Sequence, residues 1–195
     1  GFLGTEAFFV SEGLYDFAAP NWGPHDLRMV AGRPAAITMV TAADAGIETV
    51  ADARGKRAAF VVGNPSTNVK CEAIIAFGGL TLDDVDVVMF PTFSAAMSAL
   101  TRNEADFSCT ATTTSQMYEL AESPRGIRWI PLEADNKSGW DALQSVLPIM
   151  APIEEDTAAG FEEGESMPMA SFRYPLITTK ATKPADEVYN FLKAM

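Results

Sequence analysis

The sequence predicts an α/β fold: open, mainly parallel sheets flanked by helices. Three observations predict it. Residues 58–62 form an almost wholly apolar run of strand length, the pattern of a strand buried on both faces. Such runs are followed by a polar turn and then by a segment with helical spacing. The connections between successive units are short, which places ligands outside the carboxyl ends of the strands.

Taken in order, residues 7–13 read as a short helix ended by Gly13 and leading into Tyr15 and Phe17. Residues 21–24, which include Trp22, are loop-like. Within 27–40, residues 35–40 read as a strand, and 47–53 as a helical turn before the strand at 58–62. The turn 63–68 leads to a helix over 69–77 closed by Gly78 and Gly79. Residues 81–85 make a short turn with acids at its start, 87–90 a strand and 92–100 a helix. The rhythm repeats with a strand at 105–109, a threonine-rich loop at 110–115, a helix at 116–122 and a strand at 127–132. Beyond Asp135 the character changes. Residues 140–146 are helical, Pro148 and Pro152 break the pattern, and 154–164 form an acidic connector. A strand at 172–179 precedes a last amphipathic helix opened by Pro184, with Val188, Phe191, Leu192 and Met195 on one face.

Bulk properties narrow the function. The 195 residues are 48% hydrophobic and 21% charged, a globular composition rather than a disordered one. With 26 acidic against 14 basic residues the formal net charge is −12. That field repels phosphate backbones, so no nucleic-acid partner is expected. No apolar run approaches the roughly 20 residues of a membrane helix, so no membrane insertion is expected either. Cys71 and Cys109 lie 38 residues apart without a CxxC spacing. A disulfide between them is open, but two small buried apolar side chains are the expectation. Gly1 leads at once into Phe2 and Leu3 without a visible signal peptide, and the last helix is still running at Met195. The chain therefore reads as an interior piece of a longer protein.

Two loops carry the candidate chemistry. In the turn 63–68, Gly63 and Pro65 shape the backbone. Asn64, Ser66, Thr67 and Asn68 cap a helix or donate hydrogen bonds to a ligand oxygen, and free N–H groups at a helix start favour a carboxylate or phosphate. The spacing is neither a Walker loop nor a GxGxxG fingerprint. The second loop, 110–115, holds five hydroxyls in six residues, Thr112, Thr113 and Thr114 among them, and lines a polar wall without adding charge. Plain helix capping accounts for either loop alone; both following strands of one sheet favours a ligand. Arg173 and Tyr174 interrupt an apolar strand, where a guanidinium can grip a carboxylate or form a structural ion pair. Tyr15 and Trp22 offer rings to stack on a solute, though the core is where both are expected. Catalytic residues are not expected: His25 is the only imidazole, no nucleophile elbow is present, and zinc spacings and cofactor fingerprints are missing.

The ordered segments resemble a known family, the TAXI branch of TRAP-transporter solute-binding proteins. Residues 47–59 (IETVADARGKRAA), 73–85 (AIIAFGGLTLDDV), 95–106 (AAMSALTRNEAD), 126–132 (GIRWIPL) and the Val188–Tyr189 pair look like that family's segments, in the same order. The ligand loop is poorer in glycine than is usual there, Asn103-Glu104 stands where Asp-Gly is common, and the stretch after Cys109 is threonine-rich. The resemblance implies a two-lobed, periplasmic-binding-protein type II-like fold. Residues 1–35 and 171–195 would be parts of an incomplete first lobe and 36–170 the second. It also implies a monomeric, periplasmic receptor without cofactor. Such a receptor takes a small organic acid or acidic amino acid into the interlobe cleft and delivers it to TRAP permease membrane subunits. The runner-up is an enzyme on such a fold, of a biosynthetic or transferase kind, or a ligand-sensing clamp.

Overall fold

A computed structural model describes residues 2–20 and 24–194. The chain divides into two compact units, residues 1–34 with 173–195 and residues 35–172. Strands β2 (Leu27–Ala42) and β8 (Met167–Lys180) each contribute residues to both.

The first unit opens with strand β1 (Phe2–Leu3), which pairs antiparallel with β8 through Phe2–Ile177 and Leu3–Leu176. Helix α1 (Glu6–Glu12) follows and buries Ala7, Phe9 and Val10. Gly13 ends it at φ +66, in the left-handed region that glycine enters without a Cβ penalty. Helix α6 (Ala185–Lys193) closes the chain behind Pro184. Its first turn carries Asp186 and Glu187 and its last turn Lys193, each charge at the favourable end of the helix dipole. Trp22 lies outside the described residues.

The second unit holds the larger core. Strands β3 (Arg57–Val61), β4 (Asp86–Phe90) and β5 (Phe107–Ala111) lie side by side and parallel, with β3 in the middle. β2 pairs antiparallel with β5 on one side and with β6 (Ile127–Trp129) on the other. β6 therefore points the same way as β3, β4 and β5. The β-loop-α rhythm of the sequence persists in direction, but one antiparallel strand is inserted into it, so the sheet is mixed rather than parallel throughout. Periodicity could not disclose this, because β2 is buried from Ala36 to Ala42 like its parallel neighbours.

Helices cover both faces. α2 (Pro65–Phe77) packs on α5 (Lys137–Val146), with the Phe77 and Trp140 rings edge to face at 5.6 Å between centroids. α3 (Phe93–Thr101) and α4 (Ser115–Glu122) pack on each other. Ala59 and Val61 of β3 meet Met97, Leu100, Met117 and Leu120 in one buried cluster. Strand alternation sends Ala58 and Phe60 to the other face. Each fully buried Met or Leu there contributes roughly 1.5–3 kcal/mol by leaving water.

Three expectations are corrected. The segment 154–164 is not connector throughout: β7 (Ala151–Glu155) takes in Pro152, Glu154 and Glu155 and pairs antiparallel with β8 from Ala151–Ser171 to Glu155–Met167. β7 lies on an edge of the sheet, where a proline is tolerated. Second, α2 begins at Pro65 rather than at residue 69, because proline fits a helix's first turn and Asn64 caps it. Third, Cys71 and Cys109 are not two separate buried thiols but a disulfide, with Cα atoms 5.0 Å apart. It ties α2 to β5, an adjacency that a 38-residue separation does not announce.

Candidate functional site

Because β3, β4 and β5 are parallel, the first turns of α2, α3 and α4 all begin just past the same end of the sheet. After β3, Val62 turns outward and is exposed, and Gly63 takes φ +66. A Cβ on Gly63 would meet nothing within 4 Å, so glycine is needed there for its backbone angle rather than for close approach. The Asn64 side chain accepts a hydrogen bond from the Thr67 N–H at 3.1 Å, capping α2. Asn68 reaches back to β3: its Oδ1 accepts from the Val61 N–H at 3.0 Å and its Nδ2 donates to the Val61 carbonyl at 2.8 Å. Asn68 is thus a clamp that fixes the helix start to the strand end.

After β5, the Thr112 N–H donates to the Ala36 carbonyl at 3.2 Å. The hydroxyls of Thr110 and Thr114 share a hydrogen bond of 2.7 Å. Thr114 is the N-cap residue of α4, but its side chain makes no cap, since its hydroxyl is engaged with Thr110. The Met117 N–H donates to the Thr114 carbonyl at 3.1 Å, while the Ser115 and Gln116 amides keep their donor capacity. Gln116 Nε2 donates to Ser94 Oγ at 3.0 Å and so links the first turns of α4 and α3.

Ser66 is only 4% exposed and Thr112 only 3%. Within the described residues no hydrogen bond uses either hydroxyl, nor those of Thr67 and the exposed Thr113. Among the described residues the fully buried hydroxyls without a partner are those of Thr5 and Thr101, so the Ser66 and Thr112 oxygens still reach the surface and are open to a bond from outside the chain. Charge points the same way. No acid occurs in residues 62–71, 87–103 or 107–118, although the chain has 26. Three helix starts, donor hydroxyls and no carboxylate make a surface suited to a small anion.

Sequence reasoning missed Lys70. One turn after Ser66 on α2, it is 8% exposed, with its Nζ 4.1 Å from the centroid of the Phe172 ring. A cation–π contact eases the burial of that charge. The available signal was a lysine between the apolar Val69 and Cys71, four residues after Ser66 on the same helix face.

The other sequence candidates belong to the first unit. Tyr15 is not in the core: it is 48% exposed, has φ +53, and sets its ring against the edge of Phe9 at 4.6 Å. Arg173 is exposed on β8, one residue past the buried Phe172. The side chain of Tyr174 lies outside the described residues. The structure therefore gathers Asn64, Ser66, Thr67, Asn68, Thr112, Thr113 and Thr114 at one end of one sheet, and Tyr15 and Arg173 are described in their own unit.

A family model described as NMT1/THI5 like matches residues 33–143, more than half of the chain. The chain belongs to the NMT1/THI5-like family. The match spans β3 to β5 and both hydroxyl-bearing loops. Among solved structures, the periplasmic aliphatic sulphonate binding protein SsuA from Escherichia coli aligns over all of this chain and 51% of its own, at 18% identity and a TM-score of 0.50. The alkanesulfonate-binding protein SsuA from Xanthomonas axonopodis pv. citri aligns over 54% of this chain and 36% of its own, at 22% identity and a TM-score of 0.41. A mutant of ArgBP from T. maritima aligns over 86% of this chain and 53% of its own, at 16% identity and a TM-score of 0.47. This chain thus spans between a third and just over half of the length of those three. None of the curated proteins compared with it matches. The fold is the α/β fold of type II-like periplasmic binding proteins, as expected, with a sheet flanked by helices that is mixed where mainly parallel strands were expected.

Proposed function

We propose that this chain is the solute-binding part of an uptake receptor and that its solute is a small organic anion, a carboxylate or an acidic amino acid, bound without chemical change. The first turns of α2 and α4 hold the acidic group. Ser66 and Thr112 give it hydroxyl donors and the helix-start amides add theirs. Lys70 makes the local potential positive inside an acidic protein. The observation that carries this reading is the pair of hydroxyls on the largely buried Ser66 and Thr112, which no hydrogen bond in the described residues uses and which stay open to the surface. Shielding from water on binding strengthens such bonds.

Turnover is disfavoured by the residues themselves. Cys109, the thiol closest to these loops in sequence, is bridged to Cys71 and offers no thiolate. An extracytoplasmic location is supported by that disulfide, which persists in oxidising compartments. Among the described residues no helix is long and apolar enough to cross a membrane. Delivery to permease subunits of the TRAP type rests on the ordered segments at 47–59, 73–85, 95–106 and 126–132.

Native mass spectrometry of the protein as purified, followed by a thermal-shift panel of small carboxylates and amino acids, tests the proposal. A stoichiometric acid that is recovered unchanged and raises Tm supports it; at a hundredfold excess over Kd the gain is about 2.7 kcal/mol. A panel without any shift, or conversion of a bound compound, contradicts it, and conversion favours an enzyme built on this fold.

A further inference from the structure

The far end of α2 borders a hollow lined entirely by residues of the second unit. Its volume is about 520 Å³, inside the roughly 300–1,000 Å³ range of small-molecule sites. α2 has 13 residues, so the hollow lies roughly 18 Å along the helix from the hydroxyl-bearing loops. We propose that it binds a small organic cation, an amine carried on an apolar body.

The floor is apolar and is formed by Val50, Ala51, Phe77 and Ala142. The Phe77 ring is held in place by the edge-to-face contact with Trp140. Two glycines let the walls close up. A Cβ on Gly78 would lie 2.7 Å from a Val50 methyl, and one on Gly139 would lie 2.9 Å from the Phe77 ring. The 50–53 turn and the start of α5 can therefore approach the end of α2 directly.

The charge is of one sign. Glu48 and Glu133 stand in the lining, and no lysine or arginine does. Glu48 meets Arg128 at 3.3 Å, whereas Glu133 has no cationic partner among the described residues. α2 ends here, and although the Gly78, Gly79 and Leu80 N–H groups answer its Ile75 and Ala76 carbonyls, its last turn carries no basic residue to offset the negative end of its dipole. The opposing positive end, the start of α5, is already answered by the Asn136 side chain, which accepts from the Gly139 N–H at 3.0 Å. The remaining demand is for a cation. A bare metal ion does not fit it: no group of three metal-ligating side chains occurs among the described residues, and an apolar floor offers a metal nothing. An amine on a ring or branched chain uses both the floor and the rim.

Benzylamine and its neutral isostere benzyl alcohol, titrated into the ¹⁵N-labelled full chain and followed by amide shifts, provide the test. Benzylamine is expected to move amides in 48–51, 76–79 and 136–142, and to bind at least about threefold more tightly than the alcohol, the scale of one partly exposed charge pair. Glu133→Gln is expected to erase most of that preference. Ala142→Phe, which fills the hollow, is expected to abolish the shifts while the spectrum stays dispersed. The proposal is overturned if neither probe binds there, if the alcohol binds equally well, or if folded Ala142→Phe binds as the wild type does. Should Ala142→Phe not fold, an undiminished preference in Glu133→Gln overturns it alone.

Discussion

The starts of β3 and β5 carry charges that are consumed within the chain, whereas the loops past the ends of the same two strands carry the Ser66 and Thr112 hydroxyls, which are not. At the starts, the Arg57 guanidinium donates to Asp106 at 2.7 and 3.2 Å and to the Asn103 carbonyl and side chain at 3.0 Å each. Asp106 also accepts from the Arg57 N–H at 2.8 Å. Arg54 pairs with Asp84, and Asp52 and Asp84 close capping boxes with Thr49 and Thr81. At the ends there is no acid, and although Asn64, Asn68, Thr110 and Thr114 are engaged, the hydroxyls of Ser66, Thr67, Thr112 and Thr113 are not. Composition does not separate the two regions, because both are polar loops beside helix starts. What separates them is whether each polar group already has a partner, and the end with hydroxyls to spare is the one where a solute belongs.

The largest effect expected concerns what holds the two loops in register. The Cys71–Cys109 bridge joins α2 and β5, the elements that lead out of and into those loops. Replacing both cysteines by serine is expected to lower stability by roughly 2–5 kcal/mol, read by denaturant unfolding. Solute affinity should fall with it, since the bridge fixes the spacing of the two helix starts. Unchanged stability would mean the bridge does not constrain this unit.

Next in size is the paired end. Asp106→Ala leaves the Arg57 N–H without its acceptor and the guanidinium with Asn103 alone, and is expected to cost roughly 1–3 kcal/mol. Solute affinity should stay within twofold. A large loss of affinity would show that the two ends are not independent.

The same aspartate sets an acid limit. Burial alone would raise the Asp106 pKa, but the hydrogen bonds from the Arg57 side chain and N–H, with the charge of Arg57, outweigh it and hold the carboxyl below its ordinary value. A depressed folded value means the unfolded chain binds the proton more readily. The contribution is therefore complete above the ordinary aspartate range, near about 4, and is lost as pH falls through the folded value. Asp106→Asn should flatten that part of the stability profile, measured by Tm against pH. An unaltered slope would assign it to other carboxylates.

Smallest is Arg54→Ala. Its partner Asp84 also accepts from the Thr81 N–H and hydroxyl at 2.8 and 3.1 Å, and Arg54 is well exposed. The loss should stay under about 1 kcal/mol and shrink further in salt.

Much of this architecture was legible in the residues. Short strand-length segments at 58–62, 87–90 and 105–109, each before a polar turn and a helical stretch, were enough for the α/β class and for β3, β4, β5 and their helices. The inserted antiparallel β2 was not legible, since direction leaves no mark on the buried stretch from Ala36 to Ala42. β7 was hidden by Pro152 and two glutamates, which an edge strand tolerates. At the candidate site, hydroxyl-rich turns marked the right loops, but sequence could not tell spent groups from spare ones. Asn68 and Thr114 look like Ser66 and Thr112 until their bonds to Val61 and Thr110 are seen.

The most direct measurement is calorimetric titration of the solute found in the panel into the wild type and into Ser66→Ala, Thr112→Val and Asp106→Asn, with Tm recorded for each unliganded protein. The account predicts that Ser66→Ala and Thr112→Val weaken binding by roughly 1–3 kcal/mol while their unliganded Tm barely moves, and that Asp106→Asn lowers Tm while affinity holds. If the hydroxyl variants bind as the wild type does, or if they lose stability in step with affinity, these hydroxyls serve the fold and the solute site lies elsewhere.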